Sequence, residues 1–389
     1  MERLKVLFIT PWYPTKQQPV EGIFVQEHAK AVQLYDDVVV LHCSESYSNL
    51  RRTWRMQQET DKSLTKGIPT YRSWYRPFPI PKIRYLIYLG TVFKAFRRIV
   101  SQGFRPHIIH AHIYEIGVPA VLIGKLYRIP VVITEHFSQF PRNIIGGIEK
   151  CKAKFVFESA EIVMPVSKSL QKSIAEYGIK ARFHVVPNVV NPDLFNPGSS
   201  SRVKKRLNYL LFVGSLDLSH NKGVHYLLHA VALLREHRDD WFLDIVGDGP
   251  ARPEYESMVE DLGLVDRVTF HGLKAREEVA DFMRRADLFV LPSVLETFSL
   301  AAAEALGTGT PVLATRSGGP EEFIDEDVGL LVHSSDPKAL REGLNFMLDH
   351  LKQFSSDQIS HYANQLFSPE SVGDQLHRIY ALCLTSHKT

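Results

Sequence analysis

The sequence predicts an α/β protein built from two Rossmann-like domains, each a doubly wound parallel sheet. Three observations carry that expectation. The 389 residues are too many for one ordinary core and fit two domains of about 190 residues each. Short apolar runs alternate with helix-like stretches through both halves, as in parallel sheets covered on both faces. Between the halves, the stretch opened by Pro187-Asn-Val-Val-Asn-Pro holds three prolines, three asparagines and a serine run, the composition of a linker.

Along the first half, strand-like runs lie at 4–10, 38–42, 108–111, 131–134 and 162–165, with helices at 24–34 and 117–127. The second half repeats the theme with strands at 209–213, 241–246, 267–271, 287–291 and 311–314. The expected division is a first domain at 1–187, a linker at 188–201, a second domain at 202–366 and a terminal segment at 367–389. An amphipathic helix is expected over 367–383 of that segment. No repeat of fixed short period is visible.

Composition fits a soluble globular chain: 44% hydrophobic, 23% charged, and no run long enough to span a bilayer. Met1-Glu-Arg leads into a short apolar stretch and then Pro11, so no signal peptide is expected. Cys43, Cys151 and Cys383 are far apart, without metal spacing, which fits a reducing cytoplasm. The net charge of +3 hides an asymmetry. Residues 1–198 hold 27 Lys/Arg and 15 Asp/Glu, a net +12, whereas 199–389 hold 19 and 28, a net −9. Residues 51–100 alone carry 12 basic and 2 acidic side chains. Such density favours an anionic partner.

The most informative segment is Pro292-Ser-Val-Leu-Glu-Thr-Phe-Ser-Leu-Ala-Ala-Ala-Glu. A buried strand should end at Pro292, and the Ala/Leu-rich run from about Phe298 should form a helix. Glu296 then lies in the loop before the helix and Glu304 in its second turn. The amides of Thr297, Phe298, Ser299 and Leu300 sit at a helix N-terminus, which attracts phosphate. One carboxylate near a diphosphate and a second a turn deeper suits a nucleotide-linked sugar.

This segment resembles the signature of retaining glycosyltransferases of family 4, whose GT-B fold sets two Rossmann-like domains across a cleft. The resemblance implies that Glu296 contacts the transferred sugar, Glu304 the ribose hydroxyls, and the amides of Thr297 to Leu300 the phosphate. Family members often have Gly where this chain has Thr297 and Ser299. The segment from Phe212 through Gly214, Ser215 and Lys222 is similar to the family's Val-Gly-Arg-Leu…Lys-Gly pattern, in which Arg and Lys grip the diphosphate. Ser215 replaces that Arg, with His220 or Lys274 as conceivable substitutes, while Lys222 would stabilise the leaving group. The loop His271-Gly-Leu273-Lys274 matches one that reads the nucleotide base through backbone groups.

Gly22 matches a family glycine that admits donor phosphate or acceptor, and His136 the histidine facing the donor sugar at a strand's carboxyl end. The turn Val246-Gly-Asp-Gly lacks the third glycine of a dinucleotide motif and reads as structural. Arg316-Ser-Gly-Gly-Pro reads equally as a ligand approach or as an ordinary turn before a helix begun by Glu322. The cluster from His107 to His112 looks like metal ligands but lacks paired carboxylates, so no metal site and no cofactor beyond the sugar nucleotide is expected. The opening Pro11-Trp-Tyr-Pro…Glu21-Gly-Ile-Phe resembles bacterial capsule and teichuronic-acid transferases. The lysine- and arginine-rich stretch 82–100 reads either as a core helix with a basic face or as a helix lying on anionic membrane.

The resemblance implies a cytoplasmic, metal-independent, retaining enzyme with a nucleotide-sugar donor, UDP-sugar favoured, and a glycan or lipid-linked acceptor in cell-envelope polysaccharide synthesis. An anionic membrane surface at residues 51–100 is the expected peripheral contact, and nucleic acid is not expected. The alternatives are a sugar-nucleotide epimerase of the same architecture and a non-catalytic sugar-nucleotide-binding protein.

Overall fold

The computed structural model describes residues 3–46, 54–198 and 207–386. They form two units: residues 1–189 with 369–389, and residues 190–368.

The first unit contains β1 (Lys5–Thr10), β2 (Asp37–Glu45), β3 (Trp54–Gln58), β4 (Thr70–Tyr75), β5 (Ile108–His112), β6 (Val131–Glu135) and β7 (Ile162–Pro165). Their order is β3-β4-β2-β1-β5-β6-β7. In β1 the run Val6, Leu7, Phe8, Ile9 is fully buried because helices cover both faces. Leu7 aligns in parallel with Val39 on one side and with Ile109 on the other. The second unit contains β8 (Asn208–Val213), β9 (Trp241–Val246), β10 (Val268–Gly272), β11 (Leu288–Leu291), β12 (Val312–Thr315) and β13 (Gly329–Val332), in the order β10-β9-β8-β11-β12-β13.

In each sheet the strand order reverses beside a central strand, between β1 and β5 and between β8 and β11. Ligands in open α/β sheets bind outside the carboxyl ends of the strands at such a switch point. The loops leaving β1, β5, β8 and β11 are therefore the places to look.

The sheets depart from the expected parallel pattern at one edge. β3 pairs antiparallel with β4, Met56 opposite Ser73. Only Met56 of β3 is buried, so its polar alternation gave no apolar run to detect.

The stretch read as a linker is partly core. Val189 and Val190 are buried, as is Phe195, and the Val190 amide donates to the Phe367 carbonyl at 2.8 Å. The run Ser199 to Ser201 lies outside the described residues. The last helix begins at Pro369, not at 367: helix Ser356–Phe367 ends at Ser368, and helix Pro369–Ser386 follows. Proline suits a first helical position and disfavours helix just before it. This last helix packs on helix Ile23–Gln33 in the first unit, where a Cβ on Gly373 would meet the Ala31 carbonyl at 2.3 Å. His377 Nδ1 lies 3.0 Å from the buried Asp36 carboxylate, tying the same helix down.

Candidate active site

In the second unit the switch-point loops bring Lys222 and Glu296 together. Lys222 Nζ donates to Glu296 Oε1 at 2.7 Å, and Ser293 Oγ donates to the same oxygen at 2.8 Å. Glu296 is 8% exposed. Its backbone is fixed on both sides: its amide donates to the Ser317 carbonyl at 2.8 Å, and its carbonyl accepts from the Gly319 amide at 2.9 Å. A Cβ on Gly319 would meet Phe298 Cα at 2.5 Å. The glycine pair after β12 therefore lets two backbones touch, and so holds the Glu296 loop. Glu322 ends a 3-10 turn, Gly319–Glu322, instead of starting a helix, because Phe323 packs down against Phe298 and Phe367.

The helix predicted from about Phe298 begins at Leu300 and runs to Gly307. Ser299 caps it in a left-handed conformation (φ 72°), and its hydroxyl accepts from the Ala302 amide at 3.5 Å. Phe298 is buried, so its side chain is core and its backbone alone is left for a ligand. Thr297 and Leu300 are half-buried. Amides in the first helical turn have no intrahelical acceptor and favour an anion there.

Glu304 lies in the second turn and is nearly buried. Arg276, which the sequence reading did not single out, donates from Nη2 to Glu304 Oε1 at 2.6 Å. Its guanidinium also lies 5.1 Å from the Phe195 ring centroid. The available signal was its place just beyond His271-Gly-Leu273-Lys274. Neither proposed substitute for the missing arginine joins Lys222. His220 Nδ1 is 2.8 Å from the Tyr255 hydroxyl, and Lys274 pairs with Glu278 at 3.5 Å.

Ser215 follows Gly214 after β8, and its hydroxyl donates to Asp217 at 2.9 Å. Burial raises the Asp217 carboxyl, but hydroxyls of Ser219 and Ser215 and the charge of Lys222 outweigh it and hold the group below its usual range. Gly214 is a close-packing position: the Gly247 Cβ would meet its carbonyl at 1.9 Å. The Val246-Gly-Asp-Gly turn thus braces the loop after β8. His271 Nε2 lies 2.6 Å from Asp244, while Leu273 beside it is 77% exposed.

In the first unit, Gly22 caps helix Ile23–Gln33 at φ 66°, and a Cβ there would meet the Trp12 carbonyl carbon at 2.4 Å. His136, just after β6, stacks 5.5 Å from His112 and packs 4.4 Å from the Phe24 ring. His112 Nδ1 and His136 Nε2 are 3.2 Å apart. Burial, then the neighbouring histidines His28 and His110, hold His136 well below the ordinary imidazole range, so the ring is neutral near pH 7. Glu135 is buried and accepts from the amides of Tyr114, His136 and Phe137; burial pushes it up to about 7 against those donors.

The histidine cluster divides. His107 Nδ1 accepts from the Lys5 amide at 3.1 Å, and His110 bonds Thr134 and Tyr380. His112 instead meets His28 and His136, one ring nitrogen of each lying within 4.8 Å of the other two.

Two family models cover most of the chain: glycosyltransferase family 4 at residues 22–194 and glycosyl transferases group 1 at residues 199–365. The Bacillus subtilis glycosyltransferase TuaC, named for teichuronic acid biosynthesis, is 28% identical over 361 residues, 88% of each chain. The D-inositol 3-phosphate glycosyltransferase of Corynebacterium urealyticum is 31% identical, over 75% of this chain and 74% of its own. Among solved structures, sucrose-phosphate synthase from Thermosynechococcus elongatus matches with a TM-score of 0.76 at 21% identity, over 99% of this chain and all of that one. Anabaena HepE, solved with UDP and glucose, matches with a TM-score of 0.76 at 19% identity, over 98% of this chain and all of that one. The two parallel-sheet units have the GT-B fold, and the chain belongs to the family 4 glycosyltransferases.

Proposed function

We propose that this glycosyltransferase is a retaining enzyme that moves a sugar from a UDP-sugar to a glycan or lipid-linked acceptor in cell-envelope polysaccharide synthesis. The observation that carries the reading is the Lys222–Glu296 pair at the carboxyl ends of β8 and β11, beside the N-terminus of helix Leu300–Gly307. A cation, a carboxylate and a helix start within one loop cluster suit a diphosphate joined to a hydroxyl-rich ring. The UDP-sugar preference draws on HepE, solved with UDP and glucose, and the envelope role on the name of TuaC.

In the proposed reaction an acceptor hydroxyl oxygen attacks the anomeric carbon on the face from which the diphosphate leaves. The C–O bond to phosphate breaks, and the hydroxyl proton passes to the departing phosphate oxygen. Lys222 stabilises the charge on that phosphate, Glu296 orients the sugar, and neutral His136 positions it. Glu304 takes the ribose hydroxyls, with Arg276 holding its carboxylate. The residues from Thr297 to Leu300 contribute amides to the phosphate, and the loop around Leu273 offers the base backbone contacts.

We further propose a cytoplasmic enzyme, peripheral on the membrane, acting without metal. Among the described residues no helix is long and apolar enough to cross a membrane. The first part of helix Pro81–Ser101 and its approach expose Ile80, Ile83 and Leu86 beside Lys82 and Arg84, while Val92, Phe96 and Ile99 enter the core.

Titration calorimetry of UDP, and separately GDP, into chelator-treated protein tests the nucleotide reading. Tight UDP binding supports it, GDP preference changes the donor, and binding of neither removes it. NMR of the product's anomeric carbon tests retention, and NMR on donor alone detects an epimerase.

A further inference from the structure

A cavity lies wholly in the first unit, at the carboxyl ends of β1, β2 and β5, with a volume of about 520 Å³. That size is typical of small-molecule sites. Trp12 follows β1, Ser44 and Glu45 end β2, and Glu115 opens the helix after β5.

Its charge runs against its surroundings. Residues 1–198 hold 27 basic and 15 acidic side chains. Yet the cavity is lined by four of those acids, Glu21, Glu45, Glu115 and Glu149, and only two of the bases, Arg84 and Lys152. Both bases are already engaged. Arg84 pairs with Glu45, and Lys152 Nζ sits 2.8 Å from Glu149 Oε1 and 4.3 Å from the Tyr85 ring centroid. The net charge of the lining is therefore negative, four carboxylates against two cations. Burial, then the neighbouring Glu149, raises the Glu115 carboxyl, and burial raises Glu21.

Half of the remaining lining is aromatic. Tyr75 and Tyr88 pack at 5.8 Å, Tyr88 and Tyr85 at 6.0 Å, and Trp12 also lines the cavity. The Tyr85 hydroxyl is buried and has no hydrogen-bond partner among the described residues. A ligand hydroxyl at that point would supply the partner that this buried group lacks.

We infer that this cavity binds the acceptor, and that the group it takes is an uncharged, hydroxyl-rich saccharide ring and not a phosphate. Carboxylates accept bonds from ring hydroxyls, aromatic faces cover the ring's C–H faces, and the unpaired Tyr85 hydroxyl supplies a further contact. A phosphate would face Glu21 and Glu115 with no cation left to neutralise it. The inference rests on the transferase reading and specifies its acceptor. It narrows the expectation of an anionic partner drawn from the basic first half: a lipid-linked acceptor would present its sugar here and keep its phosphate outside.

Saturation-transfer NMR on the full chain tests this with methyl glycosides of glucose, galactose and N-acetylglucosamine, against glucose 6-phosphate. At least one neutral glycoside should bind, with the phosphate at least about tenfold weaker. Glu115→Gln should weaken the neutral ligand by about tenfold, the size of one lost charge-assisted hydrogen bond, and Tyr85→Phe by less. Thermal unfolding of each variant checks that its fold is intact. Equal or tighter binding of glucose 6-phosphate, binding of none of the glycosides, or indifference to both substitutions would overturn the inference. UDP titration on the same preparation reports on the donor reading separately, so either can fail while the other stands.

Discussion

The two units solve one backbone problem identically and then diverge. After β1 and after β8, the chain loops back and enters a helix through a left-handed glycine, Gly22 or Gly223, each at φ 66°. A Cβ on Gly22 would meet the Trp12 backbone at 2.4 Å, and one on Gly223 the Pro292 carbonyl oxygen at 1.9 Å. Beyond that shared frame the chemistry parts. The first unit surrounds its switch point with neutral imidazoles and aromatic rings, and beside them a cavity where Glu21, Glu45, Glu115 and Glu149 outnumber Arg84 and Lys152. The second surrounds its own with the paired charges of Lys222 with Glu296 and Arg276 with Glu304. Under the proposed reading, one architecture carries a surface for a hydroxylated ring in the first unit and a surface for a nucleotide diphosphate in the second, through loop content alone.

The strongest way to break that division is at the charged pair. Glu296→Gln and Lys222→Ala should each lower turnover by ~10² or more if the pair acts on the transition state. The double variant should lose less than the product of the two, because the side chains touch. Steady-state kinetics on folded variants decides it. Near-normal rates in both would remove the second unit's proposed site.

The next largest contrast is in acid. Burial first, against the Pro187 hydrogen bond, lowers His28 to about 4, and burial with Arg72 lowers His42 to about 3. Groups whose native values are depressed bind fewer protons folded than unfolded. Their contribution is complete above the ordinary value near 6.5 and is lost as pH falls through the native value. For His28 alone the loss is about 2 kcal/mol by pH 5. In the second unit, the half-buried His225 is lowered chiefly by burial. Hydrogen exchange at pH 7.5 and pH 5 should therefore show the first unit opening preferentially in acid. Equal loss of protection in both units would contradict the contrast.

A smaller effect tests how the charged site is held. Gly319→Ala puts a methyl group against the Phe298 and Thr297 backbone. Overpacking of that kind costs about 1–3 kcal/mol. It should lower thermal stability and displace Glu296, whose carbonyl accepts from the Gly319 amide. A stable variant with full activity would show that the glycine pair serves the turn alone.

The same contrast explains what the sequence made legible. Apolar runs such as Val6 to Ile9 announce buried parallel strands, whereas polar β3 on the sheet edge does not. Glu296, Glu304 and Lys222 were visible because local segments matched a family pattern. Arg276 was not, since its value lies in reaching Glu304 across 28 residues of sequence. The cavity beside Trp12 was hidden for the same reason: Glu21, Glu45, Glu115 and Glu149 come from four separate segments. Bulk charge pointed the wrong way there, because an average over a surface does not report the lining of one pocket. Within the stretch read as a linker, Val189, Val190 and Phe195, apolar residues among prolines and asparagines, are buried.

His271 offers the finest test of the proposed division of labour within the second unit. Its ring is bound to Asp244 at 2.6 Å and packs 4.6 Å from Phe282, so the side chain is committed to the protein. If the loop reads the base through its backbone, His271→Ala should cost about 1 kcal/mol of stability, the worth of one hydrogen bond. UDP affinity should then stay within about twofold, a difference well under 1 kcal/mol. Calorimetry and thermal unfolding separate the two effects. A large loss of UDP affinity with little loss of stability would mean that the imidazole leaves Asp244 to meet the base, and that side-chain chemistry in this loop selects the nucleotide.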